Sequence, residues 1–137
     1  MKHLTFFGSA VLGAGLLYFL VPLIFPICQA AHGPAMKCFW TARAEMGVGA
    51  AVMSGGLLYS LSADLQRRLG LSLMIGVLAI LGGAFPTFLI GVCANEAMLC
   101  RAGAQPAWLL TSAFLLISAL LNARRLAVVS KPDPLDD

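Results

Sequence analysis

Residues 4–27 read LTFFGSAVLGAGLLYFLVPLIFPI, a run without a single Asp, Glu, Lys or Arg. A helix needs ~20 predominantly apolar residues to cross the hydrocarbon core of a bilayer, so this stretch is long enough to span. A secretory signal is the competing reading, but the apolar part of a signal covers only about 7–15 residues. The "FPIC" that ends at Cys28 also lacks the small residues of a lipoprotein cleavage site. The run is therefore read as a retained transmembrane helix, bent or ended in its outer part by Pro22 and Pro26.

Three more uncharged runs follow, at 46–63, 69–92 and 106–121, and together the four fill most of the chain. Only 11% of the 137 residues are charged and 60% are hydrophobic. A soluble domain carries about 25% charged residues, so too little polar surface remains to cover a soluble core. The expectation is an all-α membrane protein, a four-helix transmembrane bundle with helices at about 4–27, 44–63, 69–92 and 106–126. Pro106 suits a first helical turn, where proline's missing N–H would be unpaired anyway. Residues 128–137, ending in SKPDPLDD, have no apolar periodicity and are expected to be a disordered cytoplasmic tail.

Lys and Arg accumulate in cytoplasmic loops. Lys2, Arg67, Arg68, Arg124, Arg125 and Lys131 fall at the two ends of the chain and in the middle loop, against Lys37, Arg43 and Arg101 in the other two loops. This bias places both termini in the cytoplasm, with every cysteine at or beyond the outer end of a helix.

The two outer loops resemble each other. "AMKC" at Ala35–Cys38 has a near-copy, "AMLC", at Ala97–Cys100, and each follows an "FP" pair and an earlier cysteine, Cys28 or Cys93. One hairpin written twice would produce this pattern, in which case both copies share one orientation; so would chance matching between apolar segments. Cysteines on an oxidising face form disulfides, and four allow three pairings. Cys28–Cys38 and Cys93–Cys100 are favoured, because each lies within one short loop held by neighbouring helices, and such a bridge stabilises by about 2–4 kcal/mol. Pairing across the loops is the alternative and would tie the two hairpins together.

Two other chemistries use the same residues. Met and Cys are soft ligands suited to Cu(I), so Met36 with Cys38 and Met98 with Cys100 could meet around copper. The sequence has no dense Met or His cluster, however, and His32 is the single outer histidine. A cysteine pair in each outer loop also resembles the layout of quinone-coupled disulfide-generating membrane proteins, with Arg43 placed near a quinone headgroup. That family's reactive Cys-x-x-Cys is missing here, and easy thiol exchange depends on such a local setting.

The pattern "AMKCFWTARAEMGVG" after the first helix and "IGVCANEAMLCRAG" before the last resembles the bacterial family catalogued as domain of unknown function 4418, over nearly the whole chain. The resemblance implies a small four-helix membrane protein, often encoded beside ABC exporter components of the macrolide-exporter type. Relatives that carry His where this chain has Phe39 would have a metal ligand that is missing here.

Trp40, Arg43 and Glu45 follow Cys38 into the second helix. Trp suits a membrane interface and Glu a first helical turn. In a functional role Arg43 and Glu45, with Met36, Trp40 and Met98 nearby, would hold a polar ligand or partner at the outer mouth. Gly47, Ala51 and Gly55, at every fourth position, offer a smooth stripe for close helix packing. No nucleophile–base pair, carboxylate dyad or phosphate loop is readable, and no ionisable residue interrupts the membrane interior. The expected function is a non-catalytic accessory of an ABC exporter with disulfide-braced outer loops. A quinone-linked thiol oxidoreductase is the alternative and a copper-binding membrane protein the second alternative. Beyond the lipid bilayer and exporter subunits, self-association stays open, while neither nucleic acid nor a resident cofactor or metal is expected.

Overall fold

The computed structural model describes residues 2–25, 37–94 and 99–130. Four α-helices fill them: α1 (Lys2–Ile24), α2 (Lys37–Leu61), α3 (Leu65–Ala84) and α4 (Gln105–Val129). Each packs on its neighbours in sequence, and α4 closes back onto α1, giving an up-and-down four-helix bundle. Phe6 and Phe7 of α1 share one groove with Leu65 of α3 and Val129 of α4, so the start of α1, the α2–α3 turn and the end of α4 lie at one end. Arg67, Arg68, Arg124 and Arg125 gather there, and the described cysteines lie at the opposite end; these are the arginine end and the cysteine end.

Three helical stretches, Phe6–Ile24, Leu65–Leu89 and Cys100–Val129, are long and apolar enough to cross a membrane. α2 is equally long, but Glu45, its serines and its glycines dilute its apolar character. The bundle's outside is oily: Leu16, Leu57, Val77, Leu110, Phe114 and Ile117 are exposed, whereas Thr41, Glu45, Ser72 and Ser112 are buried. Exposed apolar surface on this scale marks contact with lipid or protein.

The helix ends follow local chemistry. Asp64 caps α3, its carboxylate accepting from the Gln66 N–H at 3.2 Å, and the α2–α3 turn is accordingly abrupt. At the far end of α3, Pro86 has no N–H to continue the ladder. The helix widens into a π-turn over Phe85–Leu89, closed by the Ile90 and Gly91 N–H groups on the Phe85 carbonyl. A second π-turn, Cys100–Ala104, leads into α4, where Pro106 occupies the first turn as expected.

Several boundaries differ from the sequence expectation: α3 runs over Leu65–Ala84 rather than 69–92, because Asp64 caps it early and Pro86 diverts its end into the π-turn. α2 starts at Lys37 rather than 44, so Cys38, Trp40 and Arg43 are helical rather than in a loop. α4 continues to Val129, so the first residues assigned to a disordered tail are helix, and 131–137 lie outside the described residues. Pro22 sits inside α1 and does not end it, while Pro26 also lies outside the described residues.

The close-packed seam is displaced from the expected stripe. A Cβ on Gly49 would lie 2.9 Å from the Gly15 carbonyl oxygen and 2.9 Å from Tyr18 Cβ, and one on Gly15 would meet the Gly49 carbonyl at 3.0 Å. Gly15 and Gly49 therefore let α1 and α2 touch backbone to backbone, while Gly56 makes room for the Val11 side chain. Gly55 faces α3 instead, and around Gly47 there is open space. The stripe reading overlooked that α2 has two partners, α1 and α3, on different faces.

Candidate functional site

The cysteine end is assembled by the way the chain leaves α3. After the π-turn, Gly91 takes φ 80°, a left-handed conformation open to glycine at little cost. This turns the Gly91 carbonyl onto Thr41 of α2, whose hydroxyl donates to it at 2.6 Å. Two residues further on, Cys93 arrives over Cys38, one turn before Thr41. The Cys93 N–H donates to Cys38 Sγ at 3.1 Å, and the two cysteines form a disulfide with Cα atoms 6.1 Å apart.

The bond therefore joins the two hairpins, and the favoured pairing within each loop does not hold. Cys38 pairs with Cys93 rather than Cys28, and Cys93 with Cys38 rather than Cys100. The physical reason is tertiary: α2 and α3 are neighbours in the bundle, so the start of one meets the end of the other. Cys100 is buried in the π-turn before α4. Cys28, Met36, His32 and Met98 lie outside the described residues, and so does the methionine half of the Met–Cys copper site, whose Cys38 is bonded to Cys93. Among the described residues no group of three His, Cys, Asp or Glu could hold a metal ion.

Beside the disulfide, α2 presents a ledge. Trp40 is 58% exposed, its ring edge-on to Phe39 at 5.7 Å, and the Arg43 guanidinium lies over the Phe39 ring at 5.1 Å. Successive helical residues are separated by about 100°, so Glu45 points roughly opposite to Arg43. Glu45 is 0% exposed while Arg43 is exposed, and the expected Arg43–Glu45 grip on a ligand at the outer mouth is not formed.

Glu45 lies instead in the bundle, about 10 Å along α2 from Cys38 at ~1.5 Å per residue. This also overturns the reading that no ionisable residue enters the interior. One turn beyond it, Tyr18 crosses the whole bundle. It leaves α1 against Gly49 of α2, passes Gly82 of α3, where even a methyl group would collide with its hydroxyl, and ends on Ser112 of α4. Ser112 donates its proton to the Trp108 carbonyl at 2.8 Å, so Tyr18 is the donor in the Tyr18–Ser112 bond.

Two polar groups near this crossing are unmatched: both Glu45 carboxyl oxygens and Trp108 Nε1 are buried without a hydrogen-bond partner among the described residues. An unsatisfied buried polar group costs about 1–3 kcal/mol. Glu45 and Trp108 each lie about one turn toward the cysteine end from the residues that hold the Tyr18 crossing. The Trp108 N–H can only donate, and a carboxylate at Glu45 can only accept, so each calls for a partner of the opposite kind.

A second polar layer spans α2, α3 and α4 nearer the arginine end. The Asn122 amide donates to the Tyr59 hydroxyl at 3.0 Å and to the Ser72 hydroxyl at 2.7 Å, and Ser72 donates to the Arg68 carbonyl. Sequence reasoning passed over Tyr18, Ser112, Trp108, Tyr59, Ser72 and Asn122. The available signal was their isolation: single polar side chains in otherwise apolar spans face the bundle interior and bond across helices.

This geometry belongs to a chain that matches a known family model. The family model described as Domain of unknown function (DUF4418) covers residues 9–124. No curated protein and no solved structure matches the chain.

Proposed function

The chain belongs to the DUF4418 family, and on that premise we propose that it is a non-catalytic accessory of an ABC-type exporter, which docks on the cysteine end of the bundle. The observation that carries this reading is the ledge of Phe39, Trp40 and Arg43 standing next to a disulfide that joins α2 to the end of α3. Trp and Arg are enriched among side chains that dominate binding energy. The covalent tie and the Thr41–Gly91 bond hold their platform, which lowers the ordering cost of binding. The exporter as partner comes from the family resemblance. In this reading all four helices span a bacterial inner membrane. The arginine end and both termini face the cytoplasm, following the excess of basic residues there, and the cysteines meet an oxidising space.

The test is to cross-link tagged full-length protein in its native membranes and identify attached peptides by mass spectrometry. Exporter subunits linked near Trp40, and lost in Trp40→Ala and Arg43→Ala variants that keep the Cys38–Cys93 bond, are the expected result. Links to exporter subunits that survive both changes, or no such links in the native chain, would overturn it.

One observation favours a second reading, a thiol–disulfide oxidoreductase coupled to quinone: the Cys93 N–H points at Cys38 Sγ, where it would hold a sulfur that gains charge during exchange. Reduction of this disulfide by a dithiol protein would be followed by passage of two electrons and two protons to quinone. Purified protein given a reduced dithiol protein and a soluble quinone would then bleach the quinone absorbance. Cys38→Ser and Cys93→Ser would abolish turnover, and such turnover would displace the accessory reading.

A further inference from the structure

At the arginine end α1 and α4 part to leave a groove of ≈ 500 Å³, lined by Phe6, Phe7, Phe114, Leu121, Asn122 and Arg125 among others. Its walls are mostly apolar, with Ser118 and Asn122 as the uncharged polar side chains. Asn122 contributes little polarity, because its amide is already engaged with Tyr59 and Ser72. Phe6, Phe114 and Leu121 are more than half exposed, so the groove opens sideways onto the surface that faces lipid.

Its length and charge identify an occupant. From Phe114 to Val129 the groove follows α4 for about 22 Å at ~1.5 Å per residue, close to half of the ~40–45 Å bilayer including its headgroup regions. That is the depth of one leaflet. Arg125 lies one turn short of the Val129 end, at the level of a headgroup, beside Arg124 and at the same end as Arg67 and Arg68, with the Asp64 carboxylate 3.8 Å from the Arg67 guanidinium. Clustered basic residues at a membrane surface attract anionic headgroups. We propose that this groove is a binding site for an anionic phospholipid, one acyl chain lying between α1 and α4 against Phe114 and Leu121 and its phosphate meeting Arg125. The assignment is independent of the exporter reading and of which way the bundle faces.

The experiment uses full-length protein, delipidated in mild detergent and given phosphatidylglycerol, phosphatidylcholine or a ubiquinone of matched chain length. Native mass spectrometry reads the bound mass and thermal unfolding reads the stabilisation. Phosphatidylglycerol should be retained in preference to phosphatidylcholine, with a raised melting temperature. Arg125→Gln should reduce that preference about fivefold, the contribution expected of one basic side chain near an anionic surface. Leu121→Trp should fill the groove and weaken retention of both lipids. Leu121 is half exposed, so the larger ring has room outside the core, and an intact Cys38–Cys93 linkage confirms that each variant folds. Equal retention of the two phospholipids by the native chain, unchanged retention in Leu121→Trp, or preference for the quinone would each overturn the assignment.

Discussion

Gly47 and Gly49 stand two residues apart on α2, and the structure assigns opposite outcomes to the same substitution at each. At Gly47 an added methyl group meets nothing within 4 Å, so Gly47→Ala should gain the usual helix-propensity difference, about 0.5–1 kcal/mol. At Gly49 the methyl would lie 2.9 Å from the Gly15 carbonyl oxygen, 2.9 Å from Tyr18 Cβ and 3.2 Å from the Phe19 nitrogen. Two of these neighbours are backbone atoms and cannot rotate away, so α1 and α2 must separate. Overpacking of this kind costs about 1–3 kcal/mol; after the same propensity gain, Gly49→Ala should be destabilising by up to about 2.5 kcal/mol. Movement of α1 also carries Tyr18 away from Ser112, which adds to the loss. Reversible unfolding in mixed micelles, followed by helical circular dichroism, measures both variants against the native chain. The two should fall on opposite sides of it. Gly49→Ala equal to or more stable than Gly47→Ala would refute the backbone contact between α1 and α2.

Three further outcomes follow from the described contacts. A non-reduced digest should yield one peptide pair joining Cys38 to Cys93; a Cys28–Cys38 or Cys93–Cys100 pair in its place would restore the local pairing. Glu45→Met removes a buried carboxyl group without a partner and should raise stability by about 1–3 kcal/mol, seen as a higher melting temperature in detergent; a lower one would mean that Glu45 is satisfied in the membrane. Asn122→Ala breaks the link between Tyr59 and Ser72 and should cost about 0.6–1.7 kcal/mol, the range measured for hydrogen bonds between membrane helices; an unchanged unfolding midpoint would remove this layer from the account.

The membrane class and the helices were legible in the chain because they depend on local quantities. Residues 4–27 lack charge over a length that only a span or a deeply buried helix accepts, and Pro106 marks a helix start by its own hydrogen-bonding chemistry. The basic residues around 67–68 and 124–125 likewise identified one end of the bundle before any contact was known. Cysteine pairing was not legible. Sequence separation favours short loops, whereas Cys38 and Cys93, 55 residues apart, are brought together by α2–α3 packing and by the left-handed turn at Gly91. Glu45 illustrates the same limit. Its position in the first turns of α2 reads as a surface residue favourable to the helix dipole, yet two residues after Arg43 it faces the opposite way, and which face becomes interior depends on where α1, α3 and α4 lie. Composition determined that this chain forms apolar helices for a membrane; only the tertiary structure decided which glycines touch, which cysteines bond and which carboxyl group is enclosed, because those depend on neighbours far away in the sequence.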